Sequence, residues 1–342
     1  MEMMTVPVGN IPVGITGTGI CLPEKVLTNH ELEKMVDTSD EWVKTRTGIG
    51  ERRIIDQTMT TSDLAVRAGE MALENAGLTP DAVDLIVVAT VTPDMYFPST
   101  ACLVQEKIGA TKAAAFDISA GCTGFVYALA VAGQFVKTGM YQTVLVIGAE
   151  ALSRVIDWGD RNTCVLFGDG AGAVVLRPVD QGFGILSLEL GSDGSGGDLL
   201  KLSAAGSSCC GIPGASGKES RAGYAEYLEM AGSEVFKFAV RIMGECAANA
   251  VLKAGMTNGD KNLFIPHQAN IRIIRAAAKR LRLPDEKVYV NVAKYGNTSS
   301  ASIPVALHEA LLEGRIKKGD NIALVGFGAG LTWGAGVIRW AV

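Results

Sequence analysis

Two stretches decide the fold: FDISAGCTGFVYALAVAGQFVKTGMYQTVLVIGAE at 116–150 and YVNVAKYGNTSSASIPVALHEALLEGRIKKGDNIALVGFGAG at 289–330. Each reads as a strand, a turn of small residues, a helix, a short basic-containing turn and a second apolar strand. The repetition extends outward. LENAGLTPDAVDLIVVATVTP (73–93) and LKAGMTNGDKNLFIPHQAN (252–270) both show a helix end, Ala-Gly, a hydrophobic residue and Thr, an Asp-containing turn, and a buried strand. Gly77 precedes Cys122 by 45 residues and Gly255 precedes Asn297 by 42. Any α/β protein alternates strand, turn and helix, but matched spacings go beyond that. They predict two copies of one α/β unit, residues 1–182 and 183–342. Near-continuous apolar strands such as LIVVA (85–89) and VLVIG (144–148) belong in sheets covered by helices on both faces.

The duplication places chemistry. Cys122 and Asn297 occupy corresponding positions, each opening a helix after a strand, so pseudo-symmetric halves would bring the two helix starts together. His267 ends the strand corresponding to LIVVA, and strand C-terminal ends are where α/β folds hold ligands. A thiol in a first helical turn feels the positive end of the helix dipole, which favours thiolate. The bland alternatives are a buried structural cysteine, a hydrogen-bonded core histidine and a helix-capping asparagine.

Composition narrows the class. Of 342 residues, 48% are hydrophobic and 20% charged, which describes a globular chain and excludes a disordered one. Net charge of −5 gives the chain as a whole no electrostatic reason to seek nucleic acid or anionic lipid. The absence of a signal-peptide pattern or a long apolar run predicts no membrane association. Seven cysteines without CxxC spacing, an odd count, predict reduced thiols in a cytoplasm. With three histidines, none paired with cysteine at ligand spacing, no metal is expected. GDGAGA (168–173) and GFGAG (326–330) lack the context of a dinucleotide fingerprint and read as close-packing turns.

Taken in order, DISAGCTGF, PHQAN, YGNTSSAS and GFGAGLTWG resemble the β-ketoacyl-acyl-carrier-protein synthase III family of thiolase-like condensing enzymes. The likeness runs from about residue 11 to the end and includes TSDEWVKTRTGIGERR (38–53) and FGDGAGAVVL (167–176). It implies a five-layered αβαβα fold, a homodimer, no cofactor beyond a coenzyme A thioester substrate, and a ping-pong Claisen condensation. Cys122 would take an acyl group from a short acyl-coenzyme A, and malonyl-acyl carrier protein would then decarboxylate and attack it. His267 and Asn297 would stabilise the negative charge on the malonyl thioester oxygen as neutral donors.

The same resemblance assigns the acyl-step oxyanion hole to backbone N–H groups of Cys122 and Ala329. Ala329 stands where the family usually has glycine and Leu331 where an aromatic residue is common, which puts the acyl-pocket shape in question. Thr38, Trp42, Arg46 and Arg161 would hold coenzyme A, Trp42 and Arg161 sandwiching the adenine. Phe236, Asn270 and Arg272 match further tunnel positions; Ser233 replaces an asparagine of some members and carries no expectation.

IRIIRAAAKRLR (271–282) contains no acid. Arg272, Arg275, Lys279 and Arg282 recur at helical spacing opposite a buried face of Ile271, Ile274, Ala278 and Leu281. Arg272, Arg275, Lys279 and the adjacent Arg280 form the expected docking surface for an acidic carrier, against the alternative of a solvated face. Competing functions are a related polyketide or specialised condensing enzyme, a cysteine thioester or peptide hydrolase, and a non-catalytic acyl-binding protein.

Overall fold

A computed structural model describes residues 11–202 and 227–342; Cys209 and Cys210 lie outside the described residues. In chain order the first half runs β1 (Val13–Cys21), β2 (Val26–Thr28), α1 (Asn29–Leu32), α2 (Asp40–Thr47), β3 (Glu51–Arg53), α3 (Thr61–Asn75), β4 (Leu85–Ala89) and α4 (Thr100–Ile108). It continues with β5 (Ala114–Ile118), α5 (Gly124–Lys137), β6 (Val144–Glu150) and β7 (Gly170–Pro178). Then follow β8 (Gly184–Ser192), β9 (Leu200–Lys201), β10 (Glu229–Met230), α6 (Gly232–Lys253), β11 (Leu263–Pro266) and α7 (Ile271–Arg280). The chain closes with α8 (Val292–Tyr295), α9 (Ser302–Leu312), β12 (Asn321–Gly328) and β13 (Thr332–Arg339).

The two large sheets repeat one topology. The first has order β1-β7-β6-β4-β5 and the second β8-β13-β12-β11. In each, the inner pair (β4 with β6, β11 with β12) is parallel and the following two pairs are antiparallel. Gly77 and Gly255 both end a long helix with positive φ, 66° and 71°, a conformation that costs glycine least. Among the described residues, the second half lacks a full equivalent of β5. Where 289–292 reads as a strand, only a single parallel bridge between Phe264 and Val288 forms. The Gln268 Oε1 takes the next N–H groups, those of Asn291 and Val292, and the backbone turns into α8 instead of continuing the ladder.

Strand alternation explains why the apolar runs are continuous. Leu85, Val87 and Ala89 face a central core with α5 and α9, while Ile86 and Val88 face an outer core with α3 and α4. Ile322 and Leu324 face the same central core, while Ala323, Val325 and Phe327 face α6 and α7. The layers are therefore α, β, α, β, α, as expected, with α5 and α9 in the middle.

The two central helix starts touch. A Cβ on Gly148 would lie 2.4 Å from the Ser300 carbonyl oxygen, and one on Gly124 would lie 3.4 Å from the Ser300 Cβ. The run 168–173 proves to be mostly strand, not turn: Gly172 lies within β7 and lets Pro304 of α9 approach. Gly148→Ala should force backbone apart at this contact, where overpacking costs about 1–3 kcal/mol. The expected outcome is a lower midpoint in chemical denaturation, with condensation activity falling in step; an unchanged midpoint would contradict the tight contact.

Candidate functional site

Cys122 sits in a 3₁₀ turn, Gly121–Thr123, just ahead of α5. Backbone crowds it on one side: a Cβ on Gly328 would lie 2.4 Å from the Cys122 nitrogen, and one on Gly121 would lie 2.6 Å from the Ala329 nitrogen. The thiol is buried. Burial pushes its pKa up to about 12, hydrogen bonding from Ser299 and Asn297 pulls down, and the nearby Glu150 carboxylate pushes up. Burial opposes the thiolate that the dipole expectation favours: the 3₁₀ turn runs directly into α5, so the thiol stays at the helix's positive end, yet the net shift is upward.

His267 follows β11 and anchors to the neighbouring strand through its backbone N–H, which donates to the Val325 carbonyl at 2.7 Å. Burial alone lowers its pKa to about 3, so the ring is neutral. Its Nδ1 lies 2.6 Å from the Ser302 Oγ. That oxygen also accepts the Gln268 N–H at 3.4 Å. In the tautomer whose Nδ1 accepts the Ser302 hydroxyl, the ring proton lies on Nε2, a buried atom without a hydrogen-bond partner. An unpaired buried donor is costly unless something comes to use it.

Asn297 is held by a bridge to Phe167, its N–H donating to the Leu166 carbonyl at 2.8 Å. Its Oδ1 accepts the Ser299 N–H at 2.8 Å, which turns the amide NH₂ away toward the cavity. Ser299 takes positive φ, 47°, to make that bond.

Two cavities meet at Cys122. One of about 710 Å³ is lined by Thr90, Val91, Met95, Tyr96, Ser119, Ser299 and Ala329 beside the thiol. The other, about 90 Å³, runs past Phe236 and Asn270 to His267, Asn297 and the same thiol. Ala329 is not among the residues with positive φ, so alanine is tolerated there. Leu331 is buried, pairs its backbone with Asp193 and packs against Gly196, away from both cavities. The substitutions that put the acyl pocket in question thus bring only Ala329 to its wall.

Around the entrance, the guanidinium groups of Arg46 and Arg161 lie over the Trp42 ring, 5.6 and 5.3 Å from its centroid. The Thr38 Oγ1 is buried without a partner. Arg272 covers Phe236 at 5.0 Å, and the Asn270 side chain caps α7 and donates to the Arg46 carbonyl at 3.1 Å. Of the seven residues expected at coenzyme A, Phe236 and Asn270 line the narrow cavity, Arg272 covers Phe236, and Arg46 joins Asn270 to the Trp42–Arg161 stack, while Thr38 is not among the lining residues.

On α7, Arg272, Arg275, Lys279 and Arg280 are exposed. Arg280 is engaged by Glu245 at 2.8 Å and packs on Gly244. The buried face is Ile273, Ile274, Ala277 and Ala278, continued by Leu281 at the helix end, with Ile271 only half-buried in the first turn. Arg282 lies beyond the helix end with φ 52°, so it leaves the expected basic face.

Sequence reasoning missed Ser299, Ser302, Gln268, Phe167 and Glu150. The first two stand within the quoted YGNTSSAS motif, where the repeated hydroxyls were the available signal. No group of three His, Cys, Asp or Glu among the described residues is placed to hold a metal ion. No helix among them is long and apolar enough to cross a membrane.

Residues 116–194 match the family described as 3-oxoacyl-[acyl-carrier-protein] synthase III, and residues 251–340 match its C-terminal counterpart. The chain is 58% identical over 331 residues to a β-ketoacyl-[acyl-carrier-protein] synthase III of Caldanaerobacter subterraneus, covering 97% of this chain and 98% of that one. A relative of the same name from Symbiobacterium thermophilum is 57% identical, covering 96% and 98%. Among solved structures, the 3-oxoacyl-[acyl-carrier-protein] synthase III of Aquifex aeolicus superposes with TM-score 0.88 at 50% identity, covering 96% of this chain and all of that one. The priming β-ketosynthase of the R1128 polyketide pathway superposes at 0.90 with 35% identity, covering 98% of each.

A neutral buried histidine leaves a thermodynamic trace. Below about 6.5 the unfolded chain binds a proton at His267 that the folded chain refuses until about 3. More protons on the unfolded state mean that stability falls as pH drops through this window. Urea midpoints of the parent and of His267→Asn at pH 7 and pH 5 should show the smaller acid-induced drop in the variant; equal drops would contradict the neutral ring.

Proposed function

The chain belongs to the 3-oxoacyl-[acyl-carrier-protein] synthase III family, and from that premise we propose that Cys122, His267 and Asn297 carry its condensation. The enzyme is the initiating condensing acyltransferase of bacterial-type fatty-acid synthesis, on a thiolase-like fold. Its substrates are acyl-coenzyme A and malonyl-acyl carrier protein. One observation carries the site reading: a single narrow cavity is lined by Cys122 from the first half and by His267 and Asn297 from the second.

In the first half-reaction the Cys122 sulfur attacks the acyl-coenzyme A thioester, and the coenzyme leaves as thiol. Backbone N–H groups of Cys122 and Ala329 hold the oxyanion; the close approach of these two segments supports the assignment. Next, the malonyl thioester oxygen takes hydrogen bonds from the His267 Nε2 and the Asn297 amide. Carbon dioxide leaves, the charge gathers on that oxygen, and the resulting carbanion attacks the acyl-cysteine. Both donors are neutral, so neither quenches the carbanion with an acidic proton as an imidazolium would.

Thr38, Trp42, Arg46, Arg161, Phe236, Asn270 and Arg272 are proposed to receive coenzyme A, supported by the contacts that join the Trp42–Arg161 stack through Arg46 to Asn270 on the cavity wall. Arg272, Arg275, Lys279 and Arg280 are proposed to dock the carrier, with Arg280 weakened as a contact by its Glu245 partner. A homodimer is supported by Met95, Tyr96 and Phe97, exposed apolar residues beside the wide cavity. Five free thiols, Cys21, Cys102, Cys122, Cys164 and Cys246, support a reducing cytoplasm. The division at residues 182 and 183 is supported by the start of β8 at Gly184, where the second copy of the sheet begins.

Incubation with acetyl-coenzyme A or another accepted short starter should add one acyl group at Cys122, read by intact mass and peptide mapping; acylation at Cys102 or Cys164 would overturn the nucleophile. Asn297→Ala and His267→Ala should each slow malonyl decarboxylation by about 10²–10³, while Asn297→Ala affects acylation much less.

Lys279→Glu should weaken use of malonyl-acyl carrier protein and largely spare self-acylation, because rim charges govern the encounter with an acidic partner. Salt approaching 1 M, where screening acts within about 3 Å, should shrink the difference. Equal effects on both half-reactions would return α7 to a solvated face.

A further inference from the structure

The condensation leaves one proton unassigned. The Cys122 thiol must lose its proton to attack, and His267 has too little basicity to hold it near neutral pH. Behind the sulfur lies Glu150, the last residue of β6, completely buried. Its hydrogen-bond partners are neutral. Oε2 accepts from the Thr92 hydroxyl at 2.7 Å, the Val91 N–H at 3.1 Å and the Thr90 hydroxyl at 3.3 Å. Oε1 lies 2.8 Å from the Ser300 Oγ and 3.0 Å from the Ser299 Oγ.

Two features of this nest suit a carboxyl that changes protonation state. First, the Ser300 Oγ is equally close, 2.8 Å, to the Ala89 carbonyl. With Glu150 ionised, Ser300 donates to Oε1. With Glu150 protonated, Oε1–H donates to Ser300, whose own proton turns to Ala89. Both states are satisfied without moving a heavy atom. Second, Ser299, whose hydroxyl reaches Oε1 at 3.0 Å, stands with Cys122 on the wall of the wide cavity.

We propose that Glu150 holds the Cys122 proton during acyl transfer, receiving it through the Ser299 hydroxyl. The proposal rests on Cys122 being the nucleophile. The S–H bond breaks and its proton passes to the Ser299 Oγ, while the Ser299 proton passes to Glu150 Oε1. The sulfur forms its bond to the acyl carbon, and the carbon–sulfur bond to coenzyme A breaks. The departing thiolate takes a proton from Ser299, which Glu150 restores. The net change is one thioester exchanged for another and one thiol for another. Ser299 shares the cavity wall with the reacting sulfur; Glu150 acts through it, as a positioning residue that stores the proton. Burial raises the proton affinity of Glu150 as well as that of Cys122, which brings the two groups closer together.

The test compares the parent, Glu150→Gln and Ser299→Ala by three rates: alkylation of Cys122 by iodoacetamide at pH 7, acylation by acetyl-coenzyme A, and malonyl decarboxylation. Peptide mapping locates the label, and denaturation midpoints report folding. Loss of the proton acceptor should slow alkylation and acylation in Glu150→Gln by about 10²-fold, more than decarboxylation. If Glu150 were only a negative charge that burdens the thiol, its removal would instead speed alkylation. An alkylation rate that is unchanged or raised, or equal losses in acylation and decarboxylation, would overturn the proposal. Should Glu150→Gln fail to fold, Ser299→Ala decides: it removes the relaying hydroxyl, and parent-like alkylation in it would overturn the proposal. A parent that is not acylated at Cys122 would instead overturn the nucleophile, a separate outcome.

Discussion

The abutment of the two central helix starts is the contact on which the rest of the molecule depends. Ser300, at the start of the α9 region, presses its carbonyl onto Gly148 and its Cβ toward Gly124. A Cβ at Gly148 would press on that carbonyl, and Cys122 and Asn297 share a cavity wall across the same junction. The outer helices, α3 and α4 on one side and α6 and α7 on the other, cover the remaining sheet faces. The same approach that closes the central core therefore also builds the site.

A site assembled in so dry a place works with neutral groups. Desolvation keeps His267 uncharged and, with the Glu150 charge beside it, holds the Cys122 proton on sulfur. Fixed hydrogen bonds then do what ions do elsewhere: Ser302 takes one histidine nitrogen and leaves the other open, and the Ser299 N–H sets which face of the Asn297 amide donates. Donors preset in this way lose little to reorganisation when charge develops.

The strand pattern was readable because both sheet faces are buried. Alternate residues of LIVVA and of NIALVGF go to different cores, so the runs stay apolar throughout. The spacing that pairs Cys122 with Asn297 was readable because the duplicated topology preserves it. Less legible were effects that depend on three-dimensional surroundings. The sign of the Cys122 shift turns on burial, which a local dipole argument ignores. The missing counterpart of β5 turns on Gln268, whose amide captures N–H groups more than twenty residues away. Glu150 sits inside an apolar strand, VLVIGAE, and nothing local distinguishes it from a residue facing solvent; its partners come from 58 to 150 residues away. Ile274, Ala278 and Leu281 of the expected α7 face are buried as read, and the face is wider than read, since Ile273 and Ala277 join it while Ile271 is half-buried.

The meeting of a wide and a narrow cavity at one sulfur has a pharmacological corollary. A ligand that reaches Cys122 through the narrow passage runs past Phe236 and Asn270 and meets the wider chamber at the thiol. An inhibitor that stops at the sulfur fills a single compartment, whereas an occupant of both needs a hinge point at the depth of the sulfur. The length of scaffold between its entrance group and that hinge becomes the quantity to optimise, ahead of bulk at either end.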